Sequence, residues 1–132
     1  MRLDDLNVYK ESMMIGEEVW NLVNQWDYFA KDTVGKQLVK SVDSISANIS
    51  EGYGRFHYKE NKQFCYYSRG SLTETSTWIK KAENRQLIEK EKGVELINKL
   101  ERIHKMLNGY ISSIGRAPYK AQASPMTFSN DQ

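Results

Sequence analysis

The chain has 132 residues, a length that fits one domain burying roughly two-thirds of the surface of the unfolded chain. Its single cysteine excludes an intramolecular disulfide and a zinc site built from several cysteines, and it is typical of a reducing cytosol. The net charge of +2 is too small to indicate a nucleic-acid-binding protein without further evidence.

The N-terminal stretch MRLDDLNVYKESMM does not resemble a signal peptide. It has acidic residues where a signal peptide has a basic start followed by an unbroken apolar run. No later stretch is long and apolar enough to span a bilayer. We therefore expect a soluble cytoplasmic protein that does not contact a membrane.

An amphipathic helix is predicted between Leu6 and Trp26. Its apolar residues recur at intervals of three and four or their sums, with charged residues between them. These apolar residues are Leu6, Tyr9, Met13, Val19, Trp20, Val23 and Trp26. The stretch WDYFAKDTVG then interrupts the pattern, and Asp32 or Thr33 is expected to cap the next helix.

A second helix is predicted from about Thr33 to Glu51, because Leu38, Val42, Ile45 and Ile49 follow a 4-3-4 spacing. Gly52 and Gly54 are expected to end it, since glycine tolerates the left-handed conformation common beyond a helix C-terminus.

Two further helices and a tail complete the chain. One helix is predicted from Tyr58 to about Gln86, with Gly70 inside it, where we expect another backbone to pack closely. The other is predicted from about Lys90 to Ile114 and is capped by Gly115. Residues 117–132 contain both prolines and no apolar period, and we expect a disordered tail there. The predicted fold is an all-α, antiparallel up-down-up-down four-helix bundle over residues 1–116.

A second, polar stripe runs along the second helix, through Ser41, Ser44, Asn48 and Gly52. In one interpretation, its small residues admit a neighbouring helix and Asn48 lies in a polar layer that fixes register. In the other, Asn48, Glu51 and Arg55 form a specific polar site at the end of the helix. The two are compatible.

Glu51 lies in the last turn, where a negative charge is unfavourable for the helix dipole. A basic partner would offset this effect. We expect that partner to be Arg69 on the third helix, because an antiparallel neighbour joined by a short turn passes alongside this helix end.

The segments SVDSISANISEGYGR and FCYYSRGSLTET resemble the two signature segments of the bacterial four-helix bundle proteins known as 23S rRNA-intervening sequence proteins, or S23-like proteins. The family pattern is similar to Ser-Ile-x-x-Asn-Ile-x-Glu-Gly-x-Gly-Arg, followed by Ala-x-Gly-Ser-Leu-x-Glu. The matching residues are Ser44, Ile45, Asn48, Ile49, Glu51, Gly52, Gly54, Arg55, Gly70, Ser71, Leu72 and Glu74.

The resemblance implies an antiparallel four-helix bundle that assembles into a ring-shaped homopentamer. A related branch, the accessory variability determinant of diversity-generating retroelements, works with a reverse transcriptase and binds nucleic acid through a basic surface. The resemblance therefore implies RNA, DNA or a reverse transcriptase as partners. The residues expected to serve the architecture are Asn48, Glu51, Gly52, Gly54, Arg69, Gly70 and Glu74.

The first functional hypothesis is a non-catalytic homo-oligomer that binds nucleic acid. Residues 1–30 carry two basic and six acidic side chains, whereas residues 31–92 carry twelve and eight, so the basic excess lies beyond the first helix. Aromatic residues lie among these basic ones, and aromatic faces stack on unpaired bases while basic groups neutralise phosphates. The predicted phosphate contacts are Arg55, Lys59, Lys62, Lys80, Lys81 and Arg85. For each residue alone, a solvated helix face is the better explanation of a lysine, and a place in the core or an interface is the better explanation of a tyrosine.

The second hypothesis is a structural scaffold that binds a protein partner, since Trp20, Trp26, Tyr28, Phe29 and Trp78 exceed what one thin bundle core needs. An enzyme is not predicted. His57 and His104 have no partner at metal-ligand spacing, both are expected on the surface, and Cys65 lies in no nucleophile motif. No cofactor and no metal are expected.

Overall fold

The computed structural model describes residues 1–116, and all its regular elements are helical. A short 3-10 turn, Leu3–Asp5, precedes helix α1, Asn7–Val23. Helix α2, Tyr28–Ala30, continues through a π turn, Lys31–Gly35, into helix α3, Lys36–Tyr53. Helices α4, Tyr58–Asn84, and α5, Lys90–Ser113, follow. The predicted tail, residues 117–132, lies outside the described residues.

Contacts between side chains show that neighbouring helices are antiparallel. The Ser68 hydroxyl donates to the carbonyl oxygen of Ile45 at 2.8 Å, and the Thr75 hydroxyl lies 3.0 Å from that of Ser41. A later residue of α4 thus meets an earlier residue of α3, so these two helices are antiparallel. Helix α1 packs on α3 and α5, and α4 packs on α3 and α5. Helix α2, the π turn and α3 are continuous and form one rod, and α1, α4 and α5 are the other three rods. The four rods form the predicted up-down-up-down four-helix bundle.

The core is formed by one apolar stripe from each rod. Burying an aliphatic side chain of this size contributes roughly 1.5–3 kcal/mol, so these stripes supply the main stabilisation of the bundle. The largest fully buried aliphatic side chains are Ile15, Val19, Leu38, Val42, Ile45, Ile49, Ile79, Leu96, Leu100, Ile103 and Leu107. The predicted apolar stripe of the second helix is confirmed in full, since Leu38, Val42, Ile45 and Ile49 all belong to this set.

The start of the second rod differs from its prediction. Asp27, rather than Asp32 or Thr33, caps it by accepting a hydrogen bond from the Ala30 amide at 2.9 Å. The Thr33 hydroxyl donates instead to the carbonyl oxygen of Phe29 at 2.7 Å. The interrupted pattern reflects the π turn, in which the Lys36 amide bonds back to the carbonyl oxygen of Lys31, five residues earlier.

The predicted glycine turn after the second rod is also wrong in detail. Gly52 is helical, and Gly54 caps α3 with φ −79° and ψ −4°, which is right-handed geometry. At Gly115, by contrast, φ is +84°, the left-handed region that favours glycine. The C-cap of α5 is Ile114, and Gly115, the predicted cap, follows it in this left-handed geometry. Helix α4 ends at Asn84 rather than Gln86, because Gln86 has a φ of +63°.

Glu18 connects α1 to α5 through two lysines. Its carboxylate accepts hydrogen bonds from the ammonium groups of Lys92 at 2.9 Å and Lys99 at 3.0 Å. Burial raises the pKa of Glu18, but the hydrogen bonds and positive charges of the two lysines outweigh it and hold that pKa below its usual value.

We expect Glu18→Gln to lower the free energy of unfolding by about 1 kcal/mol at neutral pH, because it removes the charge shared by Lys92 and Lys99. A lowered carboxyl pKa stabilises the fold above the ordinary carboxyl pKa, and that stabilisation is lost as the pH falls through the folded-state pKa. Urea unfolding of both proteins at neutral pH and at about pH 3 measures the effect. An equal difference at both pH values would contradict it.

Candidate nucleic-acid interface

The six predicted phosphate contacts lie at two ends of the bundle. Arg55, Lys59 and Lys62 surround the turn between α3 and α4, whereas Lys80, Lys81 and Arg85 lie at the far end of α4. At 1.5 Å per residue, the helix places Lys59 and Arg85 roughly 39 Å apart. One protomer therefore does not bring all six residues together.

Exposed aromatic side chains accompany the first of these two sets. Phe56 is 79% exposed, Tyr58 52% and Tyr66 42%, although aromatic side chains are usually buried. We call this region the turn surface and define it as Arg55, Phe56, Tyr58, Lys59, Lys62, Tyr66 and Arg69. It combines basic groups with flat apolar faces that are open to solvent.

Part of the turn surface is a ridge along α4. Lys59, Lys62, Tyr66 and Arg69 follow one another at intervals of three or four residues, which makes them neighbours on one helix face. The Arg69 guanidinium lies 5.1 Å from the centre of the Tyr66 ring and donates a hydrogen bond to Asn108 of α5 at 2.8 Å. Arg69 is therefore held against both α4 and α5.

Glu51 does not pair with Arg69, contrary to the prediction. Its carboxylate accepts a hydrogen bond from Arg55 at 2.8 Å, four residues along the chain, and both side chains are exposed to solvent. Arg55 also lies over the Phe64 ring, 4.7 Å from its centre. The local pair forms because Arg55 follows Glu51 by four residues and the backbone keeps right-handed geometry through Gly54, whereas Arg69 bonds to Asn108 of α5.

We expect Glu51→Ala to lower the free energy of unfolding by no more than about 0.5 kcal/mol, because exposed pairs four residues apart on a helix contribute little. Thermal unfolding followed by circular dichroism measures this change. A loss of several kcal/mol would mean that the carboxylate has a buried partner.

The polar stripe of α3 is a packing surface against α4. The Ser71 hydroxyl donates to that of Ser44 at 3.0 Å, and Thr75 and Ser41 pair one turn away. Asn48 joins this layer through Ser44, because its amide donates to the Ser44 carbonyl oxygen and to the same Ser44 hydroxyl oxygen that accepts from Ser71. Small hydroxyl residues make the direct contacts between α3 and α4 in this layer, and the role of Asn48 in fixing register stays a prediction.

The remaining residues of the two signature segments have different surroundings. A Cβ atom added to Gly52 would lie 2.7 Å from the Asn61 side chain and 2.9 Å from its carbonyl oxygen, so Gly52 admits the first turn of α4. An added Cβ at Gly70 would meet no atom within 4 Å, so within the protomer no other backbone packs closely there, contrary to the prediction. Glu74 is exposed and accepts a hydrogen bond from the Trp78 indole at 3.2 Å.

The side chains considered for catalysis do not form a reactive site among residues 1–116. Cys65 is buried, and burial raises the pKa of its thiol to about 12, so the thiolate is absent at neutral pH. His57 is exposed and His104 is half-buried. Within the same residues, no three His, Cys, Asp or Glu side chains are grouped to hold a metal ion.

A groove that no sequence pattern predicts lies at the other end of the bundle. It lies between α1 and the start of α3, and its lining residues include Trp20, Lys31, Lys36 and Lys40. Lys31 and Lys36 are five residues apart, so an α-helix would place them on different faces. The π turn brings them to the same side, and no pattern in the sequence predicts that turn.

A family model described as 23S rRNA-intervening sequence protein matches residues 4–109, most of the chain. The chain belongs to this family. The resemblance of the two signature segments is thereby confirmed. No curated protein matches the chain.

The fold is also similar to a crystal structure of a protein of unknown function from the S23 ribosomal protein family of Bacteroides thetaiotaomicron VPI-5482. The TM-score is 0.71 and the sequence identity is 22%, over 79% of this chain and 97% of that one. At this identity the similarity shows the fold alone. No helix among residues 1–116 of the present chain has the length and apolar character needed to cross a membrane.

Proposed function

We propose that the protein is a non-catalytic homo-oligomer that binds single-stranded nucleic acid through its turn surface. The observation that carries this proposal is the exposure of Phe56, Tyr58 and Tyr66 beside Lys59, Lys62 and Arg69. Bases stack on exposed aromatic faces, and nearby basic groups neutralise the phosphates. Single strands are favoured over duplexes because their bases are free to stack.

The oligomer is supported by apolar side chains that the monomer leaves in solvent. They lie on α1 and α2, away from the turn surface, and are Met13, Met14, Tyr28 and Phe29. Exposed apolar groups of this size are typical of interfaces. The family resemblance implies a ring of five, which would repeat one weak nucleic-acid contact around the assembly and raise the overall affinity.

A scaffold that binds a protein partner is the second candidate function. The groove beside Trp20 favours it, because that groove is apolar inside and basic at its rim. The family resemblance implies a reverse transcriptase as one such partner. In this case the basic residues of the turn surface serve solubility rather than phosphate binding.

The deciding experiment is a fluorescence-anisotropy titration of labelled single-stranded RNA, with duplex DNA as the comparison, at low and moderate salt. Light scattering on the same sample gives the oligomeric mass. We expect tighter binding of the single strand and a steep loss of affinity with salt. Absence of binding at tens of micromolar protein would overturn nucleic-acid binding and leave the scaffold.

A further inference from the structure

The groove between α1 and α3 is a second candidate site, separate from the turn surface. It encloses about 270 Å³ and is lined by side chains from the end of α1, the π turn and the start of α3. Along α3, roughly 20 Å separate Lys40 at the groove from Tyr53 beside the turn surface. A ligand in the groove would leave Lys59 and Lys62 accessible.

The floor of the groove is apolar and its shape depends on the π turn. Trp20 is 55% exposed there, and Val23 and Val39 lie beside it. At Gly35 an added Cβ atom would lie 2.7 Å from a methyl carbon of Val23, so only glycine lets α1 approach the turn this closely. Departures from α-helical geometry of this kind are frequent at functional sites.

The rim of the groove is basic, and acidic residues next to it limit how far its positive potential extends. Lys31, Lys36 and Lys40 line the opening. Asp32 pairs with Lys36 at 3.4 Å, and Asp43 follows Lys40 by one helical turn. The positive potential is therefore confined to the rim of the groove. A rim of this size favours a ligand with a few carboxylates over a long phosphate backbone.

We infer that the groove binds a short acidic peptide segment of a partner protein, with one bulky apolar side chain on Trp20 and Val39. The carboxylates of the segment meet the ammonium groups of Lys31, Lys36 and Lys40. This charge complementarity selects the peptide, and the apolar floor fixes which of its side chains enters. The inference goes beyond the proposed nucleic-acid function and uses none of its residues.

The test uses the full chain and the probe peptide Glu-Asp-Leu-Phe-Glu-Asp-amide with fluorescein on its N-terminal amine, read by anisotropy; the unlabelled peptide carries an acetyl group there. Protein concentrations up to about 1 mM detect weak binding. We expect saturable binding and at least about tenfold weaker binding to Lys36→Glu/Lys40→Glu. With unlabelled peptide the tryptophan emission changes, and Trp20→Phe removes that change. A peptide with alanine in place of leucine and phenylalanine loses affinity.

The matched control is Lys80→Glu/Lys81→Glu, which makes the same charge change at the same end of the bundle but outside the groove. We expect it to bind the peptide as the parent does. Equal weakening by both double variants would overturn the inference, because attraction would then depend on net charge alone. Full competition of single-stranded RNA with the peptide would also overturn the inference, because the groove would then bind nucleic acid. A lower oligomeric mass of Lys36→Glu/Lys40→Glu would overturn it as well, because the groove would then be occupied by a second copy of the chain. Thermal unfolding confirms that each variant is folded.

Discussion

Replacing Gly52 with alanine is expected to lower the free energy of unfolding by about 2 kcal/mol, although alanine is the better helix former. The added methyl group would lie 2.7 Å from Asn61 Oδ1 and 2.9 Å from both the Asn61 carbonyl oxygen and the Phe64 Cβ. Two of these three atoms belong to the backbone or the root of a side chain and cannot rotate away. Helix α4 would have to move away from α3 near its first turn.

The matched control for this prediction is Gly70→Ala. Gly70 is also inside a helix, but its added Cβ atom meets nothing within 4 Å, so alanine removes only the entropy cost of glycine. We expect it to raise the free energy of unfolding by about 1 kcal/mol. Urea unfolding of the two variants and the parent measures both changes. A stabilising Gly52→Ala would contradict the close approach of α3 and α4.

The same pair of variants also tests where subunits meet. Gly70 is open in the protomer, so a destabilising Gly70→Ala that also lowers the oligomeric mass would place a second copy against α4 at this position. An unchanged mass would leave the apolar side chains of α1 and α2 as the candidate interface. Light scattering at several protein concentrations separates the two results.

Reversing two charges on the turn surface, Lys59→Glu/Lys62→Glu, is expected to weaken binding of single-stranded RNA by at least about tenfold at low salt. Both lysines lie on the ridge that leads to Tyr66 and Arg69, so each glutamate removes a phosphate contact and adds repulsion. Losing two contacts on a single strand would also reduce the slope of log affinity against log salt by about 1.4.

The control is Lys36→Glu/Lys40→Glu, which changes the net charge equally at the far end of α3. At about 0.1 M salt we expect its RNA affinity to stay within about twofold of the parent, because the Debye length of about 10 Å is then shorter than the distance between the two sites. Tyr66→Ser tests stacking separately and is expected to weaken binding without changing the salt slope. If both charge-reversed variants lose affinity alike, RNA binding does not depend on the turn surface.

The second predicted set of phosphate contacts, Lys80, Lys81 and Arg85, is tested in the same titration with Lys80→Glu/Lys81→Glu. In the protomer, Lys81 lies over the Trp78 ring, 5.6 Å from its centre, far from the turn surface. A loss of affinity for this variant would mean that bound RNA runs along the length of α4 or across neighbouring subunits. An unchanged affinity would confine the site to the α3–α4 end.

Local patterns in the chain were enough to predict the four rods, their order and the apolar stripe of α3. Residues such as Leu38, Val42, Ile45 and Ile49 recur at the helical period, and that period selects a buried face whatever the helix packs against. The two signature segments were also sufficient for the family, because they combine a specific spacing of asparagine, glutamate and glycines. None of this required knowledge of how the helices meet.

The partners of polar residues depended on the packing of the rods. Glu51 pairs with Arg55 and Arg69 with Asn108, because the rotation of α4 about its axis directs Arg69 towards α5. A sequence places a charge on a helix, but the neighbouring helices determine which opposite group is near enough to bind it. The same reason explains why Asn48 bonds within α3 while Ser41 and Ser44 meet α4.

The groove beside Trp20 was also decided by tertiary structure alone. Lys31 and Lys36 share a side only because the π turn adds one residue to that helical turn, and the turn is accommodated where Gly35 packs on Val23. Periodicity reports which face of a regular helix is apolar, so it carries no information about a local change in the period itself. Such a change is stabilised by contacts between residues distant in the chain, and these contacts exist only once the bundle has formed.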